Sequence, residues 1–244
     1  MVWGVFYRKQ KAALARFHPL HQALVHEHRL SVTLPRDAWE PLIQSCAQHR
    51  AHIRRRKWAL PDEVPLVLVP LVRVLSRDLR RTGTIGVTAD LTGPEAAGKA
   101  GPQQSLQVRR PIRRVLQWYA FDPWLAVRAE LRDGSTLDIA VVDRVRFRKI
   151  TKTNPRGKIK TKTKSKTLRV ITVTRRLPKG AVLTRPASPP PPWIRVRIKD
   201  GPRPVIRLRA RIPNAPRSSG LPNHILHLSA EAFRWTAPQA RRAS

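Results

Sequence analysis

Lysine recurs at every second position in Lys158-Ile159-Lys160-Thr161-Lys162-Thr163-Lys164-Ser165-Lys166. An ammonium group is a mobile point charge with three donors, well suited to phosphate oxygens. The alternate residues Thr161, Thr163, Ser165 and Thr167 add hydroxyl donors for the same oxygens. No Asp or Glu occurs between Lys149 and Arg185. A β-strand sends successive side chains to opposite faces, so this spacing lines the ammonium groups up about 7 Å apart. Like charges so placed repel each other, and they are tolerated only in water or against a polyanion. The segment reads as a basic hairpin arm over 149–167, turning at Asn154-Pro155-Arg156-Gly157. Lys152 and Arg156 then join Lys158, Lys160, Lys162, Lys164 and Lys166 as phosphate contacts. The plain alternative is a solvated basic loop with no partner.

A second hairpin has the same period. Ile194, Val196, Ile198, Ile206, Leu208, Ala210 and Ile212 are apolar on even positions. Arg195, Arg197, Lys199, Arg207, Arg209 and Arg211 occupy the odd ones, and Asp200-Gly201-Pro202 is the turn. Pairing puts six cations on one face, with arginine opposite arginine. That arrangement is unfavourable alone and favourable against a phosphate backbone, where guanidinium binds in bidentate fashion. The prolines at 189–192 form a stiff polyproline II spacer ahead of it. With apolar residues behind its charges, this hairpin is the better-ordered surface. The lysine run, backed only by Thr and Ser, is expected to protrude and to order on its partner.

Other chemistries find little support. The acids Asp37, Glu40, Asp62, Glu63, Asp78, Asp90 and Glu95 are scattered, and no catalytic constellation is visible. Gly98-Lys99 has neither the upstream glycine nor the following hydroxyl of a phosphate-binding loop. His18/His21 and His49/His52 lie three residues apart, on one helix face in each case, but no carboxylate accompanies them in the manner of a zinc helix. Cys46 reads as a core residue. Trp118, Tyr119, Phe121 and Trp124 form an aromatic cluster that reads as core in preference to a base-stacking surface. The expectation is a protein without cofactor or catalytic activity.

Composition points the same way. Of 244 residues, 49 are Lys or Arg and 15 are Asp or Glu, a net charge of +34. Such an excess costs stability through self-repulsion and marks a nucleic-acid partner (RNA or DNA) first, an anionic membrane surface second. The charge is uneven: residues 61–108 are neutral, whereas 151–185 hold twelve cations and no acid. The apolar fraction of 41% permits a packed core. A single cysteine excludes an internal disulfide and is compatible with a cytoplasmic location. The most apolar stretch, 64–75, is broken by Pro65, Pro70 and Arg73 and is too short to span a bilayer. The apolar residues 1–6 followed by Arg8, Lys9 and Lys11 match the end of a membrane helix with its positive cytoplasmic flank. The alternative expectation is therefore the cytoplasmic domain of a membrane-anchored protein drawn to anionic lipid.

The elements that must position these residues follow from periodicity. Residues 11–28 read as helix broken at Pro19, and 30–34 as a short strand. Pro35 opens a helix carrying Trp39, Leu42, Ile43 and Cys46. A third helix is expected over 66–79 and a strand over 84–91. Arg29-Leu30-Ser31-Val32-Thr33-Leu34-Pro35, followed by Asp37-Ala38-Trp39-Glu40-Pro41-Leu42, resembles the first half of a ribbon-helix-helix DNA-binding domain. The resemblance implies a dimer reading a groove with Arg29, Ser31 and Thr33. It stops at 54–62, too long and too basic for that family's short turn.

Further on, Leu125, Val127, Ala129 and Leu131 are apolar on odd positions, as are Leu137, Ile139, Val141, Val145 and Phe147. Two apolar faces coincide only if paired numbers sum to an even number. That requires an odd loop, Arg132-Asp133-Gly134, with Gly134 left-handed, and it places Arg128 opposite Asp138. The fold expected is α+β. A helical segment (1–82) and a Gly/Pro-rich connection (83–108) precede an antiparallel β domain, as a sheet or partly open barrel (109–213). A tail follows (214–244), with a short helix capped by Ser229.

Overall fold

Prolines punctuate the first third of the chain, and two-residue alternation organises most of the rest. The computed structural model describes residues 7–215 and 220–236; residues 1–6, read above as the end of a membrane segment, lie outside them. Helix α1 (Arg8–Arg16) stops short of Pro19, which begins α2 (Pro19–His26), where a missing N–H costs nothing. Strand β1 (Arg29–Pro35) leads straight into α3 (Arg36–His52). The helix expected over 66–79 begins instead as a π-helical turn, Val64–Leu68, and continues as α4 (Val69–Arg77). Pro70 has no N–H to give the normal ladder, and Val69 N–H reaches back five residues to the Val64 carbonyl. None of the described helices is long and apolar enough to cross a membrane.

The remaining strands are β2 (Thr84–Asp90), β3 (Gln104–Leu106), β4 (Ile112–Glu130), β5 (Thr136–Thr153), β6 (Ile159–Arg176), β7 (Ile194–Lys199) and β8 (Val205–Pro213). They form one open antiparallel sheet, ordered β1-β2-β4-β5-β6-β8-β7, with β3 on the upper edge of β4. The fold is α+β as expected, and the sheet does not close. Strands β1 and β2 belong to the same sheet as the β-rich half. A single apolar cluster runs from Leu24, Trp39 and Leu71 through Ile139, Ile171 and Leu208 to Ile225 and Leu228. Residues 83–108 therefore do not separate two cores. The ribbon that the ribbon-helix-helix resemblance assigns to a dimer is made within this chain, from Arg29↔Asp90 to Pro35↔Thr84.

The β4–β5 register is the one read from parity. Val127 faces Ile139 and Arg128 faces Asp138. Leu131 N–H donates to the Ser135 carbonyl at 2.8 Å, and Gly134 has φ 78°. The register shifts twice, at the arm's end between Ile112 and Arg114 and at a bulge between Pro123 and Leu125, where Trp124 and Leu125 both turn inward. Above it the inward residues of β4 are even-numbered: Trp118, Ala120 and Asp122. Strands β5 and β6 show no such break and pair without a shift from Thr136↔Arg176 to Thr153↔Ile159.

Two further features differ from expectation. The lysine run is already a paired strand within the chain, and does not wait for a partner to order it. Ser229 does not cap the last helix. Helix α5 (Leu221–Phe233) starts after the left-handed Gly220 with Pro222 in its first turn, leaving Ser229 buried mid-helix.

Buried charges tie the bulged region together. Asp122 and Asp143 face each other across β4–β5, and each is neutralised. Lys99 Nζ lies 2.7 Å from Asp122 Oδ1 and 3.0 Å from Asp90. Arg169 grips Asp143 in bidentate fashion, Nε at 2.8 Å and Nη2 at 2.7 Å. Burial raises the Asp90 carboxyl, but hydrogen bonds from Thr92 and Lys99 outweigh it and hold it near 2. Lower down, Arg175 bonds Asp133 and Ser135 in the β4–β5 turn and Thr236 beyond α5, with its guanidinium 4.0 Å over the Phe233 ring.

Gly134→Ala tests the turn. A Cβ there meets only Pro178, at an ordinary 3.7 Å, so the cost is left-handed backbone strain of about 1–2 kcal/mol. Urea denaturation should show that loss; unchanged stability would remove Gly134 as the residue setting the register.

Candidate nucleic-acid interface

Because β5 and β6 pair without a break, every even-numbered side chain on both points to the face away from the helices. Rows across the sheet can be read from the register. On the arm they are Tyr119–Arg146–Lys166, Gln117–Arg148–Lys164, Val115–Ile150–Lys162 and Ile112–Lys152–Lys160. Nearer the body, Phe121 is level with Arg144 and Leu168, and Val170 with Arg211. Then come Thr172–Arg209–Arg195 and Thr174–Arg207–Arg197, with Lys199 opposite Val205. Arginines thus oppose arginines across β7–β8, and arginines or lysines oppose lysines across β5–β6. Arg156 and Lys158 are exposed at the arm's tip, where Asn154 Oδ1 accepts from Lys158 N–H at 2.7 Å.

The two cationic hairpins of the sequence are one continuous surface. Arg209 shows the join. Its guanidinium pKa is lowered first by burial, then by repulsion from Arg211, Arg144, Arg197 and Arg195. Arg144 is on the arm's base and the others are on β7 and β8. Arg209 Nε is buried with no hydrogen-bond partner. Among the described residues, none of these outer-face cations from Arg144 to Lys166 and from Arg195 to Arg211 forms an ion pair with a carboxylate. Asp138, at the lower margin, is taken by Arg128 and Arg176. Not every cation of the acid-free segment belongs here: Arg169 and Arg175 are odd-numbered, face inward and hold Asp143 and Asp133.

Sequence reading missed Arg144, Arg146 and Arg148, although the signal was there. Asp143-Arg144-Val145-Arg146-Phe147-Arg148 alternates as cleanly as the lysine run. The aromatic cluster also divides. Trp124 is fully buried, and Trp118 stacks on Phe147 at 5.3 Å between ring centroids on the inner face. Tyr119 and Phe121 instead stand on the cationic face, 55% and 52% exposed. Parity above the bulge separates them, and Pro123 within the strand is the one residue-type signal of the bulge.

The histidines meet, but as a structural chain. His21 Nε2 lies 2.9 Å from His49 Nδ1, His21 Nδ1 lies 2.9 Å from Ser45 Oγ, and Leu60 N–H donates to His49 Nε2 at 3.1 Å. With Leu60 donating, neutral His49 gives its Nδ1 proton to His21, and His21 gives its own to Ser45. The ring nitrogens a metal would use are occupied. Among the described residues, no group of three or more His, Cys, Asp or Glu is placed to hold a metal ion. The chain matches no protein-family model, and neither a curated protein nor a solved structure matches it.

The histidine chain makes stability depend on pH. Burial, then the neighbouring His49 and His18, push the His21 pKa down to about 4. Burial also lowers His49, opposed in part by a contact with the Trp58 backbone. Between the ordinary value of about 6.5 and about 4 the unfolded chain binds protons that the folded chain refuses, so stability falls as pH falls through that window. Denaturation midpoints should drop between pH 7 and pH 5, before the carboxylates titrate; a flat profile there would contradict the neutral pair.

Proposed function

We propose that this protein is a non-enzymatic nucleic-acid-binding protein that grips the phosphate backbone with the outer face of its sheet. The observation that carries the reading is the direct opposition of like charges along β5–β6 and β7–β8, where the one carboxylate on the outer face of β5, Asp138, is already taken by Arg128 and Arg176. Such pairs are destabilising in the free protein. A polyanion laid across them removes the repulsion, and release of its counterions adds to the affinity. Lysines on the arm serve as adjustable point charges and arginines on the body as bidentate clamps. None of these contacts reads a base edge, so binding is largely independent of sequence.

An anionic bilayer offers the same charge but a different shape. Neighbouring strands in a sheet are rotated by roughly 20–25°, so a face this wide is twisted. A flexible phosphate chain can follow the twist from β7 to the arm's tip, whereas a planar surface touches only part of it.

Filter binding of RNA and DNA, set beside co-sedimentation with anionic liposomes, tests the reading. The wild type should retain nucleic acid in preference to liposomes at moderate salt. A variant with Lys158, Lys160, Lys162, Lys164 and Lys166 changed to Gln should lose at least tenfold in nucleic-acid affinity while keeping its fold. Stronger binding to liposomes than to either nucleic acid would overturn the proposal in favour of a membrane partner.

A further inference from the structure

The two exposed rings on the cationic face call for their own explanation. Tyr119 and Phe121 are large aromatics more than half exposed, on the face away from the apolar core. They are two residues apart on one strand, so they stand side by side about 7 Å from each other. Each has a guanidinium directly across the ladder: Arg146 opposite Tyr119 and Arg144 opposite Phe121. Arg144 Cζ is 5.8 Å from the Phe121 ring centroid. Tyr119 is further held by a polar chain. Arg148 Nε donates to Gln117 Oε1 at 2.7 Å, and Gln117 Nε2 donates to the Tyr119 hydroxyl at 3.1 Å. Gln117 is itself buried, so this support is part of the framework.

Resting on the nucleic-acid reading, we infer that the preferred ligand is single-stranded nucleic acid, with one base stacked on Tyr119 and another on Phe121 while its phosphates follow the cations of β5 and β6. A base inside a duplex has both π-faces covered by its neighbours, so these rings offer a duplex nothing. In a stacked strand successive bases lie about 3.4 Å apart, half the ring spacing. The bases these rings accept must therefore be unstacked and splayed, as they are in single strands. Stacking accepts any base, in keeping with phosphate contacts that read no sequence. The row Tyr119–Arg146–Lys166 places base, inner phosphate contact and outer phosphate contact in order across three strands, and Phe121 has Arg144 beside it as its inner phosphate contact.

The test is fluorescence anisotropy with a 12-nucleotide single strand and the matching duplex, as RNA and as DNA, on the full chain. Single strands should bind more tightly than duplex. Tyr119→Ala with Phe121→Ala should weaken the single strand by about tenfold per ring and leave duplex affinity within twofold. Tyr119→Phe with Phe121→Trp, which keeps the π-faces, should restore single-strand binding. Circular dichroism melting should confirm that both variants fold, as expected for exposed side chains. Wild-type preference for duplex, or an alanine variant that loses nothing or loses both ligands equally, would overturn the stacking inference and leave phosphate binding standing. Failure of the wild type to bind either ligand would overturn both.

Discussion

The unbroken register between β5 and β6 is the constraint on which the rest depends. Eighteen residues of β5 pair with eighteen of β6 without a bulge, so residue parity alone decides what each side chain meets. Odd positions of the lower half enter the core as Leu137, Ile139, Val141, Ile171 and Val173. Odd positions of the arm make a thin inner layer of Val145 and Phe147 against Trp118 and Ala120. Even positions lie on the outer face, and there the cations accumulate, around the buried Val170 and Thr174. A single-residue slip would put Arg144, Arg146 and Arg148 where Val145 and Phe147 now pack.

That register has to resist the repulsion it creates. Two inward features oppose a slip. The β4–β5 turn is held by Asp133, which accepts from Ser135 and is gripped by Arg175 from β6. At the bulge, Asp143 of β5 is locked to Arg169 of β6, its direct partner in the ladder. Both are arginine–carboxylate pairs shielded from water, where each partner, once formed, is costly to leave alone. The acids of this half of the sheet are spent on its inner side and rim. What remains outward is uncompensated positive charge, which a polyanion neutralises and a neutral partner does not.

Much of this was legible in the residues, because a period of two survives any tertiary context that keeps the strand. The odd loop at Arg132-Asp133-Gly134, the Arg128–Asp138 pairing and the arginine-opposite-arginine ladder of β7–β8 all follow from parity. What escaped had physical reasons. Trp124 breaks the alternation of β4 at a bulge whose mark in the sequence, Pro123 inside the strand, does not by itself say which way Tyr119 and Phe121 turn and which way Trp118 turns. The joining of the two cationic hairpins depends on β6 pairing with β8 across the intervening 177–204, which includes β7, a long-range choice. The helical start of α5 was obscured because Ser229 has the chemistry of a cap, whereas the observed start relies on Gly220 and Pro222. Arg169 and Arg175 counted towards the basic segment, yet the buried Asp143 and the half-buried Asp133 claim them.

If the outer face binds by neutralising phosphates, as proposed, the salt dependence of affinity measures that directly. A plot of log Kd against log salt concentration for a single-stranded oligonucleotide should be steep, with a slope of several. It should become shallower by roughly 0.7 for each phosphate contact removed when arm lysines are changed to Gln. A slope near zero, or one that the lysine substitutions leave unchanged, would contradict the account.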